Sequence, residues 1–138
     1  MESTGGCLCG AVRYRVIGQP LRGTICHCSL CRKSSGSAFQ AWAILRQDQL
    51  SWTKGEPQSV EATSKVIRKF CGQCGSPLSF QFRDDYSDQI IGVTAGTLDS
   101  PNNFRPTRHN WVSDQLCWLN IKDELPRNPG DAGDETEA

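Results

Sequence analysis

Eight cysteines fall in a chain of 138 residues, and seven of them sit in three tight groups. Cys7 and Cys9 form C-x-C, Cys26, Cys28 and Cys31 form C-x-C-x-x-C, Cys71 and Cys74 form C-x-x-C, and Cys117 stands apart. Disulfides or metal must account for such grouping. The N-terminal stretch "MESTGGCLCG" has neither the basic start nor the apolar core of a signal peptide, and no apolar run approaches the roughly 20 residues of a membrane span. Both point to the cytosol, where thiols stay reduced and grouped cysteines favour metal over disulfides.

Zinc takes four ligands in a tetrahedron, with cysteine thiolates among its commonest donors. In "CGQCG" the chain must turn tightly so that Cys71 and Cys74 face one ion, and Gly72 and Gly75 suit that turn. In "GGCLCG" an extended strand would put Cys7 and Cys9 on one face. Together the two pairs predict a closed, structural four-cysteine site. In "CHCSLC", Cys26 and Cys28 share a face, His27 points the other way, and Cys31 completes a second C-x-x-C turn. Three thiolates without a fourth ligand are the pattern of a catalytic zinc with an open position. Spacing alone leaves the pairing open, because Cys26 and Cys28 could instead join Cys71 and Cys74. The fourth position is also open to Cys117, to His109, or to water or substrate. The plainer expectations are that His27 is packed or hydrogen-bonded, that Cys117 is a small apolar residue on a core strand, and that His109 is a surface histidine or lines a site.

Formal charge is zero with 15 basic and 15 acidic residues, and metal-bound thiolates would make the loaded protein mildly acidic. That argues against a nucleic-acid binder, which carries a basic surface. The end of the chain, "DAGDETEA", holds four acids and no base and reads as a disordered tail. We place one folded domain at residues 1–127 and the acidic tail at 128–138. Within the domain, "AVRYRV" and "LSFQF" alternate apolar and polar residues, while "FQAWAIL", "DQIIGV" and "CWLNI" are short apolar runs. Turn signals such as "GQP", "KGEP", "RDDYSD" and "LDSPNN" separate them. No long segment keeps a helical period, and only a short helix is expected, near 30–35. The fold class is therefore mostly β.

The segments "GGCLCGAVRY", "CHCSLCRKSSGSAF", "RKFCGQCGSPL" and "RHNWVSDQLCWLNIKDELPR" together resemble the glutathione-dependent formaldehyde-activating enzyme family, which includes the centromere protein V group. The resemblance runs from about Gly5 to Arg127. It implies an Mss4-like fold of twisted antiparallel sheets organised around two zinc ions. By similarity, Cys7, Cys9, Cys71 and Cys74 hold a structural zinc, and Cys26, Cys28 and Cys31 a catalytic one whose fourth position takes substrate. The implied activity is that of a carbon–sulfur lyase, S-(hydroxymethyl)glutathione synthase. Glutathione is anionic, so Arg32 and Lys33, directly after the triplet, are candidate contacts, with Phe39 and His109 lining the site. Trp42 and Trp111 could wall a pocket or belong to the core. The sequence departs from the family at "SDQLCW", where relatives often carry a lysine before the last tryptophan. Two other functions remain compatible with the resemblance: a sibling zinc enzyme acting on another thiol adduct or electrophile, and a non-enzymatic zinc module that binds a partner. The second would be expected to carry a basic extension rather than an acidic tail.

Overall fold

A computed structural model describes residues 1–63, 65–83 and 89–131. In chain order the strands are β1 (Glu2–Gly6), β2 (Arg13–Ile17), β3 (Arg22–Cys26), β4 (Gln40–Arg46), β5 (Leu50–Lys54), β6 (Gln58–Thr63), β7 (Val66–Phe70), β8 (Pro77–Phe82), β9 (Ile90–Thr94) and β10 (Arg108–Asn110), with one helix, α1 (Ser29–Ser35), between β3 and β4. They form a three-stranded sheet in the order β1-β2-β5 and a seven-stranded sheet in the order β10-β3-β4-β9-β8-β7-β6. The expected mostly β architecture is borne out, and so is the short helix. Every pairing is antiparallel except β10 with β3, which is parallel.

The large sheet is buried on both faces at its centre, and strand alternation sorts its side chains. Leu45 of β4 and Ile91 and Val93 of β9 face the small sheet, where they meet Val12, Tyr14 and Val16. Trp42 and Ile44 of β4 and Ile90 of β9 face outward and pack with Cys26, Cys31, Phe80, Phe82 and Trp111 under α1. Tyr14 is wholly buried between the sheets, its hydroxyl 2.8 Å from the Thr97 hydroxyl, so the one polar atom on that ring is satisfied.

Two expectations change. "CWLNI" forms no strand: residues 116–121 are turn and irregular chain, and Trp118 is 70% exposed. The run pairs with no neighbouring strand, so its apolar residues gain no buried face. The chain also stays engaged past 127: Trp111 N donates to Gly130 O, Val112 N to Asn128 O, and the Trp111 indole to Asp131. The remainder of the expected tail, 132–138, and most of the "RDDYSD" turn lie outside the described residues.

The outer face depends on Gly92. Phe80 packs edge-on to Trp42, with ring centroids 4.7 Å apart, and to Phe82 at 5.7 Å. Its ring lies so close over β9 that a Cβ at Gly92 would fall 2.2 Å from Phe80 Cε1. Two rings hold Phe80 in place, so the clash cannot be relieved by a simple rotation. Gly92→Ala should therefore cost about 1–3 kcal/mol, read as a lower urea midpoint with an unchanged m value.

Candidate metal centres

The first cluster joins the two sheets. Cys7 and Cys9 lie in the connection between β1 and β2, and Cys71 and Cys74 lie between β7 and β8. The extended C-x-C strand expected from sequence is instead a turn: Gly10 N donates to Cys7 O and Cys7 N to Val12 O. A reversal between two paired strands aims the sulfurs together just as strand alternation would. Cys7 and Cys9 sulfurs are 3.7 Å apart, and Cys9 and Cys71 sulfurs 3.8 Å. A tetrahedron with metal–sulfur bonds of about 2.3 Å requires sulfurs about 3.8 Å apart. All four sulfurs lie within 4.8 Å of one another, so the donor set fits a single ion. Gly75, with φ of +81°, closes the knuckle by donating to Cys71 O, while Gly72 leaves room for the Gln58 side chain instead.

Backbone N–H groups face these sulfurs. Val12 N approaches Cys7 Sγ at 3.3 Å, and Gln73 N and Cys74 N approach Cys71 Sγ at 3.4 Å. Such donors favour the thiolate over the thiol. Cys74 is held down to about 5, first by the Ser76 hydroxyl and then by the Ser76 backbone N–H.

The second cluster sits on the outer face of the large sheet. Cys26 ends β3, Cys28 is the N-cap of α1, and Cys31 is in its first turn. Cys31 N donates to Cys28 Sγ at 3.3 Å, so the cap that starts the helix also aims one ligand. The three sulfurs lie within 4.8 Å of one another, with Cys26 and Cys31 buried. Cys28 is driven down to about 2 because the Cys26 and Cys31 thiols donate to it, and the same contacts push Cys26 up. A dication among three sulfurs crowded in this way would relieve the repulsion that opposes a second and a third thiolate. Among the described residues no fourth histidine, cysteine or carboxylate joins the three sulfurs. Cys117 is exposed in a turn and belongs to neither cluster, so it is neither the core residue nor the closing ligand that sequence allowed.

His27 is fully buried and stays out of the cluster, as expected from alternation. Its Nε2 is 2.9 Å from Nδ1 of His109, and Nε2 of His109 is 2.8 Å from Asp123. A carboxylate only accepts, so His109 donates from Nε2 to Asp123, while its Nδ1 meets His27 Nε2. Burial, and then the neighbouring His109, lower His27 to about 4 and keep it neutral. The His109 hydrogen bond in turn holds Asp123 below the usual carboxylate range. His109 is therefore neither on the surface nor free for substrate; it ties the segment around Asp123 to the strand end that carries the triplet. Asp123 went unnoticed in the sequence, because nothing local marks a partner so far along the chain.

The other candidates separate clearly. Arg32 donates from Nη1 to the carbonyls of His27 and Asp114, both at 2.7 Å, which makes it a brace for the triplet loop. Lys33 is exposed and lines a cleft of about 540 Å³ beside α1. Phe39 is half-buried, its ring centroid 6.1 Å from that of His27. Trp42 is core, 4% exposed. Trp111 has φ of +60° and anchors residues 130 and 131.

Two outcomes follow from this geometry. Cys74→Ser removes one of the four sulfurs, so an ion held there should be lost and the chain should unfold, because closure of such a site supplies folding free energy; metal content and far-UV circular dichroism measured together report it. His109→Phe leaves the buried His27 Nε2 without its partner and should cost about 1–3 kcal/mol, read in urea unfolding.

No helix among the described residues is long and apolar enough to cross a membrane. Residues 2–114 match the family described as glutathione-dependent formaldehyde-activating enzyme. A protein of Halomonas elongata named putative glutathione-dependent formaldehyde-activating enzyme is 32% identical over 127 residues, covering 86% of this chain and 80% of that one. An uncharacterized lyase of Schizosaccharomyces pombe is 30% identical over 92 residues, covering 67% of this chain and 66% of that one. The crystal structure of a Rhodobacter sphaeroides protein shares the fold with a TM-score of 0.56 at 21% identity, over 90% of this chain and 98% of that one. With a family match across most of its length and its cysteines gathered into two metal-fitting clusters, the chain belongs to the glutathione-dependent formaldehyde-activating enzyme family.

Proposed function

We propose that this protein is a zinc-dependent carbon–sulfur lyase that joins glutathione and formaldehyde as S-(hydroxymethyl)glutathione, with Cys26, Cys28 and Cys31 as the ligands of the catalytic ion. The observation that carries this reading is the difference in donor count: four sulfurs gather at one centre and three at the other. Four thiolates close a structural site, whereas three leave a coordination position for a reactant. The names of the family and of the Halomonas relative support the pair of reactants. Zinc is the metal of choice because the donors are thiolates at tetrahedral spacing.

In the reaction the thiol sulfur attacks the aldehyde carbon. A C–S bond forms, the C=O π bond opens, and the proton leaving sulfur ends on the new hydroxyl. Zinc held by Cys26, Cys28 and Cys31 would supply a place where a thiol is ionised at neutral pH. The chain's own residues build the setting. The Cys31 N–H and the start of α1 orient Cys28, and the Arg32 brace fixes the loop between Cys26 and α1. Trp42 and Phe80 pack behind Cys31 and keep water off that side. Held reactants need no further loss of freedom to meet, which is where a catalyst of so facile an addition gains its rate.

The test is exchange among glutathione, formaldehyde and their adduct, followed by NMR with the metal-loaded protein. The native chain should accelerate exchange well above background. Cys31→Ser should return it to background while the four-cysteine metal stays bound. No acceleration by the native chain sinks the formaldehyde reaction and redirects the search to other thiols and electrophiles.

A further inference from the structure

Beside the triplet lies the cleft of about 540 Å³, a size that suits a small-molecule ligand. One wall is α1, through Leu30 and Lys33; the other is the β6–β7 hairpin, through Val60 and Arg68; Trp42 lines it as well. Trp42 also packs in the buried cluster that holds Cys26 and Cys31, so the cleft adjoins the second metal centre. Among the described residues no aspartate or glutamate lines it.

The charges in this cleft are uncompensated. Arg68 is paired in register with Val60 on one side and Phe80 on the other, which sets it on the outer face of the sheet above apolar neighbours. Neither Arg68 nor Lys33 has an ion-pair or hydrogen-bond partner among the described residues. Lys69 differs, because its Nζ lies over the Trp52 ring, 5.9 Å from the centroid. Arg32, the other cation near the triplet, is already engaged with two carbonyls. Ser79, 3% exposed, also lines the cleft, and its buried Oγ has no hydrogen-bond partner among the described residues. Two unpaired cations on separate walls, with apolar surface between them, match a flexible ligand that carries carboxylates and a hydrocarbon or peptide body.

We propose that this cleft is the selectivity subsite of the second metal centre, and that Arg68 and Lys33 bind the carboxylates of an anionic thiol whose sulfur reaches the triplet. The proposal rests on the reading of the triplet as the thiol-binding centre. It adds the residues that choose among thiols: a peptide thiol with more than one carboxylate engages both walls, and a neutral thiol engages neither. Arg68 is the stronger determinant, because its planar guanidinium can bind a carboxylate through two N–H groups and its backbone is held inside a sheet.

The experiment uses the metal-loaded full chain and two probes, glutathione and 2-mercaptoethanol, titrated calorimetrically against the native protein, Arg68→Gln, Arg68→Lys and Lys33→Gln. Arg68→Gln should weaken glutathione binding about tenfold or more, Lys33→Gln somewhat less, and Arg68→Lys should recover part of the loss. Binding of 2-mercaptoethanol and metal content should not change. The proposal is overturned if native protein fails to bind glutathione, if Arg68→Gln and Lys33→Gln bind it as the native protein does, or if they lose both thiols equally. Exchange with formaldehyde, measured on the same samples, separates this claim from the reaction. Arg68-dependent glutathione binding without accelerated exchange keeps the subsite and removes the reaction. Accelerated exchange with native-like glutathione binding and kinetics in both charge variants keeps the reaction and removes the subsite.

Discussion

Two loops 62 residues apart in sequence bring their sulfurs to within 4 Å, and the rest of the molecule is arranged around that meeting. Cys7 and Cys9 come from the small sheet and Cys71 and Cys74 from the large one, so an ion at this point would bind the two layers together. Cys7 and Cys71 are also members of the apolar core between the layers. A chain of this size buries a modest core, and a metal cross-link at its edge would add to what burial alone supplies. The backbone N–H groups aimed at Cys7 and Cys71 belong to the same arrangement, because they stabilise thiolate charge at the border of an apolar interior.

The second centre uses the opposite face of the same sheet. Alternation along β4 sends Leu45 inward to the first core and Trp42 outward to the second. One strand thus supports both centres while keeping them apart. At the first centre the sulfurs number four, with Cys9 exposed and Cys74 half-buried; at the second they number three, with Cys26 and Cys31 buried and Cys28 half-buried at the start of a seven-residue helix. Donor count, rather than exposure, distinguishes the two, since a reactant needs a free coordination position. The cleft lies against α1, and the His27–His109–Asp123 chain holds the loop that leads into that helix.

The positions of charged residues distinguish structural roles from roles in recognition. Arg32 and Lys33 are neighbours in sequence and both follow the triplet, yet Arg32 turns back onto two carbonyls while Lys33 projects into the cleft. Adjacent helical residues point about 100° apart, and that rotation alone decides which cation is available to a ligand. Arg68 reaches the same space from a strand that the local sequence does not connect with the triplet at all.

Much of the site was legible in the sequence because metal ligation is a local grammar. A C-x-x-C turn and a C-x-C pair carry their geometry within a few residues, and so does the two-residue alternation behind β2, β4, β8 and β9. The exclusion of His27 from the triplet was legible for the same reason. What the sequence could not express was long-range. It left open the pairing of Cys7 and Cys9 with Cys71 and Cys74, which the resemblance supplied. It took the C-x-C for a strand where a hairpin turn does the work, and it made a core strand of the segment around Cys117. It gave no sign that His109 would be buried against Asp123. Ligand type and spacing are written in neighbouring residues, so the sequence by itself determined which seven cysteines stand in ligand-spaced groups. Which face each centre occupies, which cations stay unpaired and which histidines are buried depend on how two sheets and one short helix pack, and only the tertiary structure decided those.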